Sequence, residues 1–190
     1  LQGFNSRDAG ERNAFQYECS SGYFIIAQCN QLLKSLENPD IQFTGDAATK
    51  RNALKAWALW WKGYAYSRIG SMYLAGIITN DPGATNDNFV HRDAIMTEAN
   101  KVLNDCLATL NAITAANAHY SSVMQAIVAS FNDNGNVVTP DMWKRQVYTL
   151  QARNLLVNKK VKTMTATDWQ NVLALADKGI LKTDNIFKFG

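Results

Sequence analysis

The densest group of recognition chemistry in the sequence lies between Thr79 and His91, where Asn80, Asp81, Asn86, Asp87 and Asn88 crowd beside Phe89. Planar amides and carboxylates satisfy arrays of hydroxyls, and a flat aromatic ring covers an apolar ligand face. That pairing suits carbohydrate. Asn80, Asp81, Asn86, Asn88 and Phe89 are therefore the candidate ligand-binding residues. The same residue types also build ordinary turns, and Asp81-Pro82-Gly83 reads as one.

Catalytic chemistry is not signalled. The sequence holds no P-loop, HExxH, GxSxG or GxGxxG pattern. His91 and His119 stand apart from each other and from any ligand cluster, each at the start of a predicted helix. A metal centre needs several convergent ligands, so no metal, no cofactor and no enzymatic activity are expected. Three cysteines form no CxxC. Cys19 and Cys29 are ten residues apart on one predicted helix, about 15 Å along its axis, so they do not pair there and read as buried thiols.

The elements that must position the loop are helical. Lys50–Gly76, KRNALKAWALWWKGYAYSRIGSMYLAG, is apolar almost all round, from Leu54 and Trp57 through Trp60, Trp61 and Tyr64 to Ile69 and Tyr73. Such a helix is packed on several flanks. Ala53, Ala56, Ala58, Gly63, Ala65 and Gly70 recur between the large residues and allow close approach of neighbours. Lys50, Arg51, Lys55, Lys62 and Arg68 interrupt the run, so it is not a membrane span. It reads as the central helix, with its tryptophans in the core and Thr44 or Asp46 as its N-cap.

Five further helices surround it. Glu11–Leu36 carries a stripe of Phe15, Cys19, Gly22, Ile26, Cys29, Leu33 and Leu36, ended by Asn38-Pro39. Arg92–Ile113 buries Ile95, Ala99, Val102, Leu103, Cys106, Leu107 and Leu110, with Glu98, Lys101, Asn104 and Asp105 opposite. His119–Phe131 precedes a turn at Asn132–Asn136. Pro140 opens a helix over Met142–Val157. Thr165 and Asp168 fit a capping box for a last helix whose apolar face is Trp169, Val172, Leu173, Ala176, Gly179 and Ile180. Six helices in three pairs predict a single all-α domain over residues 1–190, of stacked αα-hairpins in a tetratricopeptide-like helical repeat array.

Net charge is +3, with 18% charged and 47% hydrophobic residues. The chain is globular, and its charge alone does not argue for nucleic acid. Neither a signal peptide nor a transmembrane run is read. The expectation is a cytosolic protein, or one whose targeting segment lies upstream.

Three stretches resemble the SusD/RagB family of outer-membrane glycan-binding lipoproteins. YFIIAQCNQLL, residues 23–33, is similar to the family's Y-x-x-I-x-x-x-N-x-L-L helix through Tyr23, Ile26 and Asn30. LKAWALWWKGYAYSRIGSMY, residues 54–73, resembles its alanine- and aromatic-rich helix. VYTLQARNLLV followed by DWQNVLALADKGI resembles its L-x-A-R-x-x-L helix and the W-x-x-A-x-x-x-A-x-x-x-I helix after it. Two departures stand out. The 114–140 segment is long, and Gly76 to Pro82 replaces a glycine-valine-proline stretch. Family members commonly exceed twice this length.

The resemblance implies the N-terminal helical portion of a cell-surface lipoprotein. Its lipidated cysteine, the only link to the membrane, would lie upstream of Cys19 and Cys29. The implied role is to bind a glycan and deliver it to a SusC-like TonB-dependent transporter, with contacts from loops after the long helix. The alternative is a tetratricopeptide-type adaptor that holds peptides along Lys55, Lys62, Arg68, Lys144, Arg145 and Arg153.

Overall fold

The structure, a computed structural model, describes residues 14–83, 86–114, 117–128 and 137–184. Its helices are α1 (Ala14–Glu37), α2 (Ala47–Met72), α3 (Arg92–Asn111), α4 (Ala118–Val128), α5 (Pro140–Asn158) and α6 (Ala166–Ala176). Two short strands, β1 (Ala75–Ile77) and β2 (Phe89–His91), lie between α2 and α3. The fold is thus mostly helical. The predicted Glu11 start of the first helix, Phe131 at the end of the fourth and the Asn132–Asn136 turn lie outside the described residues.

The long helix is central, as its all-round apolar pattern requires. α2 packs against α1, α3, α4 and α5. Asp46 is its N-cap: the carboxylate accepts the Thr49 N–H at 3.0 Å and an Asn117 amide N–H at 2.9 Å. Those bonds, the Thr49 N–H first, hold the Asp46 pKa down at about 2. Close approach depends on glycine at Gly63, where a Cβ would fall 2.7 Å from Leu103 Cδ2 on α3. Ala53, Ala56, Ala58 and Ala65 are at most 1% exposed along the same helix.

Two apolar clusters share α2. One gathers Trp60, Leu103, Cys106, Leu110, Tyr120, Met124, Trp143 and Val147. The other gathers Ile26, Ala65, Tyr66, Ile69, Ile95 and Ala99. Cys29 and Cys106 are buried thiols, Cys19 is half-buried, and none of the three is in a disulfide.

Several expectations give way here. α2 stops at Met72 and not at Gly76, because Tyr73 turns extended, with φ −116° and ψ 147°, and the chain enters β1. The ribbon pairs Ala75 with His91, Gly76 with Val90 and Ile77 with Phe89, antiparallel. α4 lies chiefly on α2, so the third and fourth helices do not form a closely packed hairpin. The capping box of Thr165 and Asp168 is present. The face it opens is not core, however: Trp169 is 43% and Leu173 61% exposed, and the helix ends at Ala176, so Gly179 and Ile180, expected on that face, lie beyond it. Among the described residues α6 meets only α5 substantially, and one contacting helix cannot cover a full apolar stripe.

A polar seam runs between α3 and α5, whose directions oppose. Lys144 Nζ donates to Asn111 Oδ1 at 3.2 Å, Gln151 Nε2 to Asn104 Oδ1 at 2.9 Å, and Arg92 Nη2 to Asn158 Oδ1 at 2.5 Å. From the same helix, Asn154 Nδ2 reaches Ser67 Oγ at 2.8 Å and Asn158 Nδ2 reaches Ser71 Oγ at 3.1 Å on α2. Asn104 is exposed, as its place opposite the apolar stripe requires, and borders this seam through Gln151.

Candidate functional site

The loop that follows α2 is held by side chains projecting from helices on one side. Successive residues of an extended chain point their backbone groups to opposite edges. Ile77 and Thr79 therefore present N–H and C=O to the same edge, and a tyrosine hydroxyl meets each of them. Tyr23 Oη donates to the Ile77 carbonyl at 3.2 Å and accepts its N–H at 2.6 Å. Tyr66 Oη donates to the Thr79 carbonyl at 2.8 Å and accepts its N–H at 3.0 Å. Each hydroxyl thus does what a neighbouring strand would do. Burial raises the Tyr66 pKa to about 12 and moves Tyr23 upward as well, so both stay protonated donors at neutral pH. Gly76 completes the fit, since a Cβ there would stand 2.7 Å from the Tyr23 hydroxyl.

Two more side chains secure the loop. Asn30 Nδ2 donates to the Thr79 carbonyl at 3.0 Å. Lys62, only 5% exposed, donates to Asn80 Oδ1 at 2.7 Å. Burial lowers the Lys62 pKa, and Glu98 acts against that shift.

Beneath the loop is a cavity of about 320 Å³ lined by Tyr23, Ala27, Asn30, Ile77, Thr79, Asp81, Gly83 and Asn86. Asn30 is 2% exposed, and its Oδ1 has no hydrogen-bond partner among the described residues. A buried amide oxygen in that state favours a ligand or water that brings a donor. Of the loop residues expected to bind ligand, Asp81 and Asn86 line this cavity. Asn80 instead orders the loop through Lys62. Asn86 is also partly committed, accepting the Asn88 N–H at 3.0 Å and donating to the Ile78 carbonyl at 3.3 Å. Asn88 and Phe89 are exposed outside the lining, Phe89 at 68%. Lys34 reaches Asp81 at 3.4 Å across solvent, a pair that contributes little.

On another face of α1 lies an open groove of about 390 Å³, lined by Phe24, Ile25, Gln28, Cys29, Leu32, Trp57, Ala58 and Trp61. Trp60 is buried as expected, whereas Trp57 and Trp61 are half-buried. Their rings meet edge-on at 5.4 Å, and Trp57 also meets Trp143 at 6.2 Å. The groove thus offers aromatic surface beside the Gln28 amide. Reading the tryptophans only as core overlooks it; the signal was Phe24 and Gln28, four residues apart on α1. Burial pushes the Cys29 thiol up to about 11, so it is no nucleophile at neutral pH.

The basic residues considered for a peptide groove are mostly occupied. Lys62 holds Asn80, Arg68 pairs with Glu18 at 3.2 Å, Lys144 with Asp141 at 2.7 Å and Arg145 with Asp184 at 2.6 Å. His91 caps α3, and His119 sits on α4 against Gly45. Among the described residues no group of three or more His, Cys, Asp or Glu could hold a metal ion, and no helix is long and apolar enough to cross a membrane. Comparison with known proteins finds no family model, no curated protein and no solved structure that matches the chain significantly.

Proposed function

We propose that the chain is the helical portion of a non-catalytic, SusD/RagB-like cell-surface lipoprotein that captures oligosaccharides and delivers them to a SusC-like TonB-dependent transporter of the outer membrane. Under this reading the helices form a tetratricopeptide-like array that carries the binding loop. One observation carries the proposal. Tyr23 and Asn30, two of the residues on which the resemblance rests, clamp the loop after the long helix and line a cavity with Asp81 and Asn86, and the buried Asn30 Oδ1 has no partner among the described residues. Fixed amide and carboxylate acceptors suit sugar hydroxyls, which are donors. On another face of α1, the Trp57 and Trp61 groove supplies aromatic surface of the kind on which a pyranose ring stacks.

The test is a glycan array with the full-length protein, followed by affinity electrophoresis of wild type and an Asp81→Ala/Asn86→Ala variant. Retardation by at least one glycan, lost in the variant, is the expected result. A protein that binds no glycan refutes the function. Undiminished binding by the variant moves the site away from the loop cavity.

A further inference from the structure

The last helix carries an apolar flank that the loop cavity and the tryptophan groove leave unexplained. α6 is about 16 Å long and sets Val172 and Leu175, both half-buried, against α5. Trp169 and Leu173, one turn apart on another side, are 43% and 61% exposed. Val161, shortly before the helix, and Leu181, shortly after it, are 67% and 53% exposed. The only charged residue within α6 is Asp168, which pairs with Lys159 at 2.6 Å.

Lysines bracket this flank. Lys160 and Lys162 stand on either side of Val161 in the chain, and Lys182 follows Leu181, all of them exposed. Lys178 is exposed as well, set over the Tyr148 ring at 5.5 Å. Between residues 153 and 182 the chain has six basic residues and two acidic ones, net +4. A second copy would bring these lysines against one another, and facing like charges oppose association. Trp169 and Leu173 protrude from their helix, and neither lines the cavities described above. A helix with tryptophan and leucine on one flank and lysines at its ends matches instead the boundary between water and an anionic lipid layer. There the apolar side chains enter between headgroups and acyl chains, and the ammonium groups meet lipid phosphates.

We propose that α6, with the lysine-bearing segments at its two ends, docks the protein on an anionic bilayer surface. The helix lies in the plane of that surface, with Trp169 and Leu173 inserted and Lys160, Lys162 and Lys182 on the headgroups. The contact is peripheral, since the 11 residues of α6 are far short of a span. It is separate from the loop cavity and does not depend on the glycan reading.

The experiment is co-sedimentation of the chain at neutral pH with vesicles of pure phosphatidylcholine and with vesicles of equimolar phosphatidylcholine and phosphatidylglycerol. The expected result is at least about tenfold tighter partition onto the phosphatidylglycerol vesicles, weakened by high salt. Trp169→Ala should weaken that partition about tenfold while the melting temperature stays close to that of wild type. Lys160→Glu/Lys162→Glu should weaken it at least about tenfold, whereas Lys55→Glu/Lys101→Glu, an equal change of net charge at exposed sites away from α6, should leave it nearly unchanged. The proposal is overturned if both vesicle types bind equally or neither binds, if the two charge-reversed variants lose equally, or if a folded Trp169→Ala chain binds undiminished. A dimer formed without lipid and dissolved by Trp169→Ala would overturn it too, by giving the flank to a second copy.

Discussion

Removing the two tyrosine hydroxyls that hold the Ile77–Thr79 edge should have unequal effects, and the inequality follows from where water can reach. Tyr66 is 0% exposed, and its hydroxyl makes two hydrogen bonds to Thr79. Each bond is worth about 1 kcal/mol net, and more where solvent cannot substitute, so Tyr66→Phe should cost about 2–3 kcal/mol. Tyr23 also makes two bonds, to Ile77, but is half-buried. Water can replace part of what Tyr23→Phe removes, which lowers the cost to about 1–2 kcal/mol. Chemical denaturation with an unchanged m-value gives the two numbers. Native-state hydrogen exchange gives their location: the Ile77 amide should exchange faster in Tyr23→Phe by local opening, with the α2 core amides following global stability only. A Tyr66→Phe cost below about 0.5 kcal/mol, or a larger cost for Tyr23→Phe than for Tyr66→Phe, would refute the view that these hydroxyls stand in for a strand.

Trp143→Ala, at a site 0% exposed, should cost about 3–5 kcal/mol, and Trp169→Ala, at 43% exposed, under about 1 kcal/mol; equal losses in urea melts would contradict the burial described here. Gly63→Ala should destabilise by about 1–3 kcal/mol, since its Cβ would press on Leu103 at 2.7 Å, and Leu103→Ala in the same chain should recover part of the Gly63 penalty in a double-mutant cycle. Asp46 and Asp168 both have folded pKa values near 2, below the unfolded value of about 3.9, so their contribution is complete above pH 4 and is lost as pH falls towards 2. Asp46→Asn should therefore flatten the acid limb of a stability–pH curve, and a curve of unchanged slope would count against the cap.

The helices were legible where one side of each is apolar. Thr139, Asp46 and Thr165 cap where turn chemistry put a helix start, because capping depends on a few adjacent residues. β1 was not legible: three residues carry no period, and Ile77 is held extended by Tyr23, 54 positions away. Trp169 misled because periodicity reports that a helix has an apolar face and says nothing about whether a neighbour covers it. At the site, Asp81 and Asn86 were found by composition. Asn30 was noticed only as part of a resemblance, since its bond to Thr79 spans 49 positions.

The amide seam has a consequence for how α5 finds its seat. The chain between α3 and α5 is long, so connectivity leaves α5 able to slide along its neighbours, and apolar contacts alone tolerate a shift of one turn. Ser67 and Ser71 are spaced by four residues, as are Asn154 and Asn158, so a one-turn slide would still leave one serine–asparagine rung. That same slide would carry Leu155 opposite Asn104, where Gln151 now donates, and would strip Asn158 from Arg92. The α2 rungs alone are nearly degenerate under translation; the unevenly spaced α3 rungs break that degeneracy. Together they act as a vernier, in which only one alignment satisfies both scales.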